Sequence, residues 1–190
     1  MSTVPMADYR RRTFTNRLGL WLFIVSDAFL FAGLFAARFY LYGANYRPEL
    51  SQEVGLIVTA ILGVSSYFAY RGEIAMKFGD SKAYFRNTMI TMALGILFLI
   101  GVVGVEWRMA PYGPDQSALW SLFYTMTGFH AFHVLTGVIY LGIVYRNARR
   151  GLYDAERHWP VEGAAIYWHF IDVVWFFFYA ALYLIGVPPL

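Results

Sequence analysis

Among the ionisable side chains that fall inside long apolar runs of this 190-residue chain, where charge is expensive and tends to mark function or a specific packing partner, six are of most interest. They are Asp27, His130, His133, Glu162, His169 and Asp172. His130 and His133 are three residues apart, which puts them on one face of a helix. Glu162 and His169 are seven apart, again on one face, and Asp172 follows His169 by three. Three kinds of chemistry fit these types. Hydrogen bonding between helices is the plainest, with a net gain of about 0.6 kcal/mol per contact. Ligation of a metal or haem is the second, since imidazole suits both. A proton path is the third, because carboxylate and histidine chains relay protons. Two histidines at this spacing cannot reach opposite sides of one haem, but His169 with His130 or His133 could. Spacing also permits several of these groups to meet Asp27 in one buried network.

Other chemistry is absent from the sequence. There is no cysteine, which removes disulfides, iron–sulfur clusters, thiolate copper sites and cysteine-tethered haem. Nothing resembles a nucleotide-binding loop, a nucleophile–base pair or a paired catalytic carboxylate, and Ser26 beside Asp27 is too generic to serve as one. No catalytic residue, metal ligand or cofactor-binding residue is therefore assigned to this chain.

The elements that carry these groups are apolar. Hydrophobic residues make up 59% of the chain, aromatic ones 20% and charged ones only 14%, against roughly 25% charged in soluble domains. Five runs, 18–42, 52–70, 84–107, 117–145 and 161–186, match the roughly 20 residues a membrane-spanning helix needs. Charge, Gly or Pro bounds each run, as at Arg47-Pro48 and Gly79-Asp80. The expected fold class is all-α, a polytopic bundle of five transmembrane helices. Residues 1–17 form an N-terminal arm, and 18–190 form one transmembrane domain.

Lys and Arg set the orientation. Twelve of them fall on the N-terminal arm and the second and fourth loops, among them Arg10, Arg17, Lys77, Arg86, Arg146 and Arg157. Only Arg47 and Arg108 fall on the opposite side, and Arg38 lies within the first run near its outer end. The positive-inside rule then places the N-terminus in the cytoplasm and the C-terminus outside. The first run is about 25 residues, longer than a signal-peptide core, and is read as a retained anchor. Glu106 stands at the outer end of the third run, where water is near. Ala32, Gly33, Ala36 and Ala37 on the first helix, Gly101 and Gly104 on the third and Gly163 on the fifth are small residues that let helices approach closely.

Three segments together resemble cytochrome oxidase subunit III. Ser26-Asp27-Ala28-Phe29-Leu30-Phe31-Ala32-Gly33 resembles its S-E-x-x-x-F-A-G motif. Thr127-Gly128-Phe129-His130-Ala131-Phe132-His133-Val134 resembles T-G-F-H-G-x-H-V. The run from Glu162 to Trp175 resembles E-x-x-x-x-Y-W-H-F-V-D-V-V-W, and it is the most specific of the three. Gly79-Asp80 matches a glycine–aspartate loop of the family. The likeness covers about residues 18–186, and the chain looks like the five-helix bacterial form, without the two N-terminal helices of the seven-helix form.

The resemblance implies an accessory subunit without a redox centre, packed beside a catalytic subunit that holds the haems and copper. It implies bound phospholipid, support of durable turnover and a link to proton entry, in a bacterial plasma membrane. Cytochrome c or quinol then acts on the complex and not on this chain. Carried over by motif, Asp27, His130, His133, Glu162, Trp168, His169 and Asp172 are the residues of interest, as a buried polar network or as proton-entry and lipid contacts. The family has Glu where this chain has Asp27, one methylene shorter. Quinol oxidase, a nitric oxide reductase accessory subunit and an autonomous haem-binding membrane protein stand as alternatives.

Overall fold

The computed structural model describes residues 5–187. The first four and last three residues, which the expected arm and transmembrane domain include, lie outside the described residues. Five helices are long and apolar enough to cross a membrane. They are α1 (Met6–Tyr42), α2 (Gln52–Lys77), α3 (Ser81–Leu99), α4 (Ala118–Arg149) and α5 (Trp159–Tyr179). Two of them continue past their α-helical part. α3 runs on as a π-helix, Ile100–Glu106, and a final turn, Trp107–Met109. α5 runs on as a π-helix, Ala180–Leu184. Among the described residues the only extended pairing is an isolated bridge between Tyr46 and Val187.

The helix starts follow from local chemistry. Ser51, Asp80 and Ser117 cap α2, α3 and α4, their side chains accepting from the backbone N–H of Val54, Ala83 and Trp120. Asp80 does this at 2.9 Å, directly after Gly79, whose φ of 77° turns the chain out of α2. α1 begins at Met6 and not at residue 18, because nothing between Ala7 and Arg17 breaks a helix, and Asp8 sits favourably in its first turn. The basic arm therefore rides on the same helix as the first span.

α2, α3, α4 and α5 close a ring in which each helix packs on the next, and α1 lies outside it against α4 and α5. Only 17% of the most apolar window of α1 is buried, against 56% for α5. α5 is thus the central helix and α1 the peripheral one. The expected small-residue packing holds for α3 and α5. A Cβ at Gly101 would stand 2.5 Å from Val58, and one at Gly163 would stand 3.3 Å from the Tyr140 hydroxyl. It does not hold for α1, where Ala32, Gly33 and Ala36 are exposed and nothing lies within 4 Å of a Cβ built at Gly33.

Arg38 closes one end of the bundle. It is fully buried, and its guanidinium donates to the carbonyls of Gly43 (3.0 Å), Tyr46 and Ile185 (3.4 Å). The α1–α2 loop is thereby tied to the end of α5. Gly186 completes the junction: its φ is 96°, and a Cβ there would meet the Tyr46 backbone carbon at 2.9 Å.

Candidate functional site

The polar residues singled out by sequence fall into separate groups around α5. On the α1–α4 side, Asp27 Oδ2 lies 3.2 Å from His133 Nε2, with both side chains about nine-tenths buried. His133 Nδ1 faces the Phe129 carbonyl at 2.7 Å. A carbonyl only accepts, so Nδ1 carries a proton. Nε2 then either accepts from a carboxylic acid or donates to a carboxylate. The approach is too oblique for a good hydrogen bond, and Oδ2 has no partner of proper geometry. Phe31 meets the His133 ring edge-on and Phe129 lies tilted against it, with centroids 5.0 and 4.8 Å away.

On the α2 side, His169 Nδ1 and Ser66 Oγ share a hydrogen bond of 2.7 Å. Asp172 Oδ2 lies 4.0 Å from the same nitrogen. Ser66 also stands beside the Asp172 carboxylate, although neither Asp172 oxygen has a hydrogen bond of good geometry. Carboxylate, hydroxyl and imidazole thus form a row leading outward from the core, from a nearly fully buried Asp172 to a His169 that is 35% exposed.

The remaining three residues are apart from both groups. His130 is fully buried, and neither ring nitrogen has a hydrogen-bonding partner. Trp175, Phe98 and Phe178 box it in, with centroids at 4.9, 5.6 and 6.1 Å. Glu162 is not in the core at all. Its two oxygens accept from Arg17 Nη2 at 2.7 and 2.8 Å, and Arg17 also lies over the Trp159 ring. Trp168 is wedged between α3 and α4, donating to Ser65 Oγ at 3.0 Å. Cβ atoms at Gly95 and Gly137 would stand 2.5 and 3.0 Å from its ring, so both helices leave a glycine slot for it. Among the described residues no three His, Asp or Glu side chains converge to hold a metal ion.

The arrangement of spans and motif residues agrees with one family. The family described as cytochrome c oxidase subunit III matches residues 11–187 of the chain. The chain belongs to the cytochrome c oxidase subunit III family. A protein named cytochrome c oxidase subunit 3 from Thermostichus vulcanus is 39% identical over 174 residues, covering 88% of this chain and 86% of the relative. One from a Synechocystis strain is 33% identical, covering 88% of this chain and 74% of its own. One from Dasypus novemcinctus is 34% identical, covering 88% and 68%.

This subunit III chain holds a further buried acid that sequence position hid. Glu106, expected near water, is only 2% exposed. It lies at the end of the π-helical segment of α3, and the Tyr183 hydroxyl donates to its Oε1 from the π-helical segment of α5. Its Oε2 has no partner. Gln52 Nε2 donates to the Tyr183 carbonyl at 2.7 Å, holding that turn from α2. The place of Glu106 at the outer end of its run suggests water nearby, but the widened turn, which places its side chains differently from an α-helical one, carries that residue in against Tyr183. The small cavity beside it, about 40 Å³, is lined by Glu49, Ser51, Val54 and Met109 among others.

Proposed function

We propose that this chain is the accessory, non-redox subunit of a haem-copper terminal oxidase in a bacterial plasma membrane. It packs beside the catalytic subunit, which carries the haems and copper, and the electron donor acts on the complex. The observation that carries the reading is the family match across 11–187, over all five spans. The names of the relatives favour cytochrome c over quinol as donor. The arm and the five helices act as one unit, with the N-terminus cytoplasmic. Support for that orientation is the joint lining of a cavity of about 520 Å³ by Arg10 and Arg17 of α1, Lys77 of α2 and Glu156 of the α4–α5 loop, which gathers the basic segments at one end.

That cavity supports a role in lipid binding. Arg10, Arg17 and Lys77 face Glu73, Glu156 and Glu162 around it. Balanced charge of both signs suits a zwitterionic phospholipid headgroup, with phosphate on the basic side chains and ammonium on the acidic ones. The Asp27–His133 pair supports an interhelical role, since the two side chains approach to 3.2 Å between α1 and α4 and are about nine-tenths buried. A part in proton entry is what turnover of an Asp27→Asn complex decides.

The test of the main reading is purification of the tagged chain from native membranes in mild detergent, with a reduced-minus-oxidised spectrum. Haem bands should co-purify with larger chains, and the separated chain should be colourless. A haem signal retained by the separated chain would overturn the accessory role.

A further inference from the structure

His169 lies deep in the membrane and is not closed off. It is ten residues from Trp159, where α5 begins, and fifteen from Leu184, where its extension ends. At 1.5 Å per residue these are roughly 15 and 22 Å from the helix ends, well within a hydrocarbon layer about 30 Å thick. Its side chain is nonetheless 35% exposed. Nδ1 is taken by Ser66, and Nε2 has no partner among the described residues. The strip around it is apolar, with Val173, Phe176 and Phe177 of α5 and Val64 of α2 all exposed.

An imidazole nitrogen that faces acyl chains has nothing to bond, and leaving it so is costly. A phospholipid cannot supply the partner, because its polar atoms stay at the membrane surface, about 15 Å away. A neighbouring transmembrane helix can, since polar side chains bond across helix interfaces at this depth. α1 and α2 both pack on α5 and flank the strip. On the α2 side the Phe176 ring already lies against Gly63, 3.6 Å from where a Cβ would stand, so the strip presents Phe176 and His169 together.

We propose that the strip of α5 between α1 and α2 seats a transmembrane helix of another oxidase subunit, whose hydrogen-bonding side chain meets His169 Nε2. This seat presupposes the oxidase-subunit reading given above. It also connects Asp172, through Ser66 and His169, to the subunit boundary.

A photoreactive benzophenone amino acid placed at Val173, in the intact complex in native membranes, tests the seat. Irradiation should join the chain to a second oxidase subunit, identified by mass spectrometry. His169→Gln keeps a hydrogen-bonding end and should keep that yield. His169→Leu should lower it several-fold, as loss of one interhelical hydrogen bond predicts. Adducts to phospholipid alone, or to a second copy of this chain, in a complex that still holds its haem-bearing subunits, overturn the seat and leave the subunit reading standing. A chain that co-purifies with no haem-bearing subunit overturns both.

Discussion

Tyr183 donates its hydroxyl proton to Glu106, and each residue belongs to a π-helical segment at the end of its span. The two widened turns face each other, and π-helical turns often occur at functional sites. Removing the hydroxyl with Tyr183→Phe leaves neither Glu106 oxygen with a partner in a nearly fully buried site. The expected cost is about 1–3 kcal/mol, read as a lowered midpoint of thermal unfolding in detergent. Glu106→Gln keeps an oxygen that accepts from Tyr183, and it should cost less. Equal losses from the two variants would mean that the hydrogen bond is not what holds the turns together.

The Trp168 slot gives a second, purely steric expectation. Gly95→Ala would put a Cβ 2.5 Å from Cη2 of the ring, and Gly137→Ala one 3.0 Å from Cε3. Overpacking of this kind costs about 1–3 kcal/mol, with Gly95→Ala the worse of the two. Gly33→Ala, with open space around it, should be neutral or gain up to about 1 kcal/mol in helix propensity. Unfolding midpoints of the three variants, measured side by side in one detergent, check the ranking.

Fold and site were legible to different degrees, for physical reasons. Span count and span order follow from the length of apolar runs, which a bilayer enforces, and all five are found. The meeting of Asp27 with His133, and of His169 with Asp172, is of the kind the spacing allows. Their separation into two groups depends on which side of α5 each neighbouring helix occupies, and a helical period carries no such information. Spacing puts Glu162 on the polar stripe of α5, yet its partner is Arg17, one residue before the expected start of α1, and a helical period within α5 carries no information about that neighbour. Glu106 and Tyr183 were not legible as a pair, since π-helical register has no signature in composition. The glycines at 95 and 137 carried a signal that only the position of Trp168 makes readable.

Asp27 separates a structural role from an ionisable one. In Asp27→Asn the amide N–H can donate to His133 Nε2 while Nδ1 stays on the Phe129 carbonyl. Assembly and thermal stability should be retained. Asp27→Leu removes the polar contact at 3.2 Å from His133 Nε2 altogether and should be the less stable of the two variants, by about 1 kcal/mol. Oxygen consumption by the two purified complexes completes the comparison. Unchanged turnover in the Asn variant limits Asp27 to helix packing, and a fall in turnover with assembly intact assigns it a proton-linked part.

The charge balance around the basic-end cavity makes the final prediction. Arg17 is already engaged by Glu162 and by the face of Trp159, so in the proposed lipid-binding role the headgroup would fall mainly to Arg10 and Lys77. As a half-exposed ion pair, Arg17–Glu162 should contribute only about 0.2–1 kcal/mol to stability. Glu162→Gln therefore leaves folding nearly unchanged. It frees Arg17, however, and turns a lining of three basic and three acidic side chains into one with an excess positive charge. Lipid co-purifying with the complex, measured by mass spectrometry, should then shift from zwitterionic toward anionic phospholipid. The double variant Arg10→Gln and Lys77→Gln should instead lose bound phospholipid at an unchanged unfolding midpoint. Identical lipid profiles in the wild-type and both variants would remove the cavity from the lipid-binding surface of the subunit.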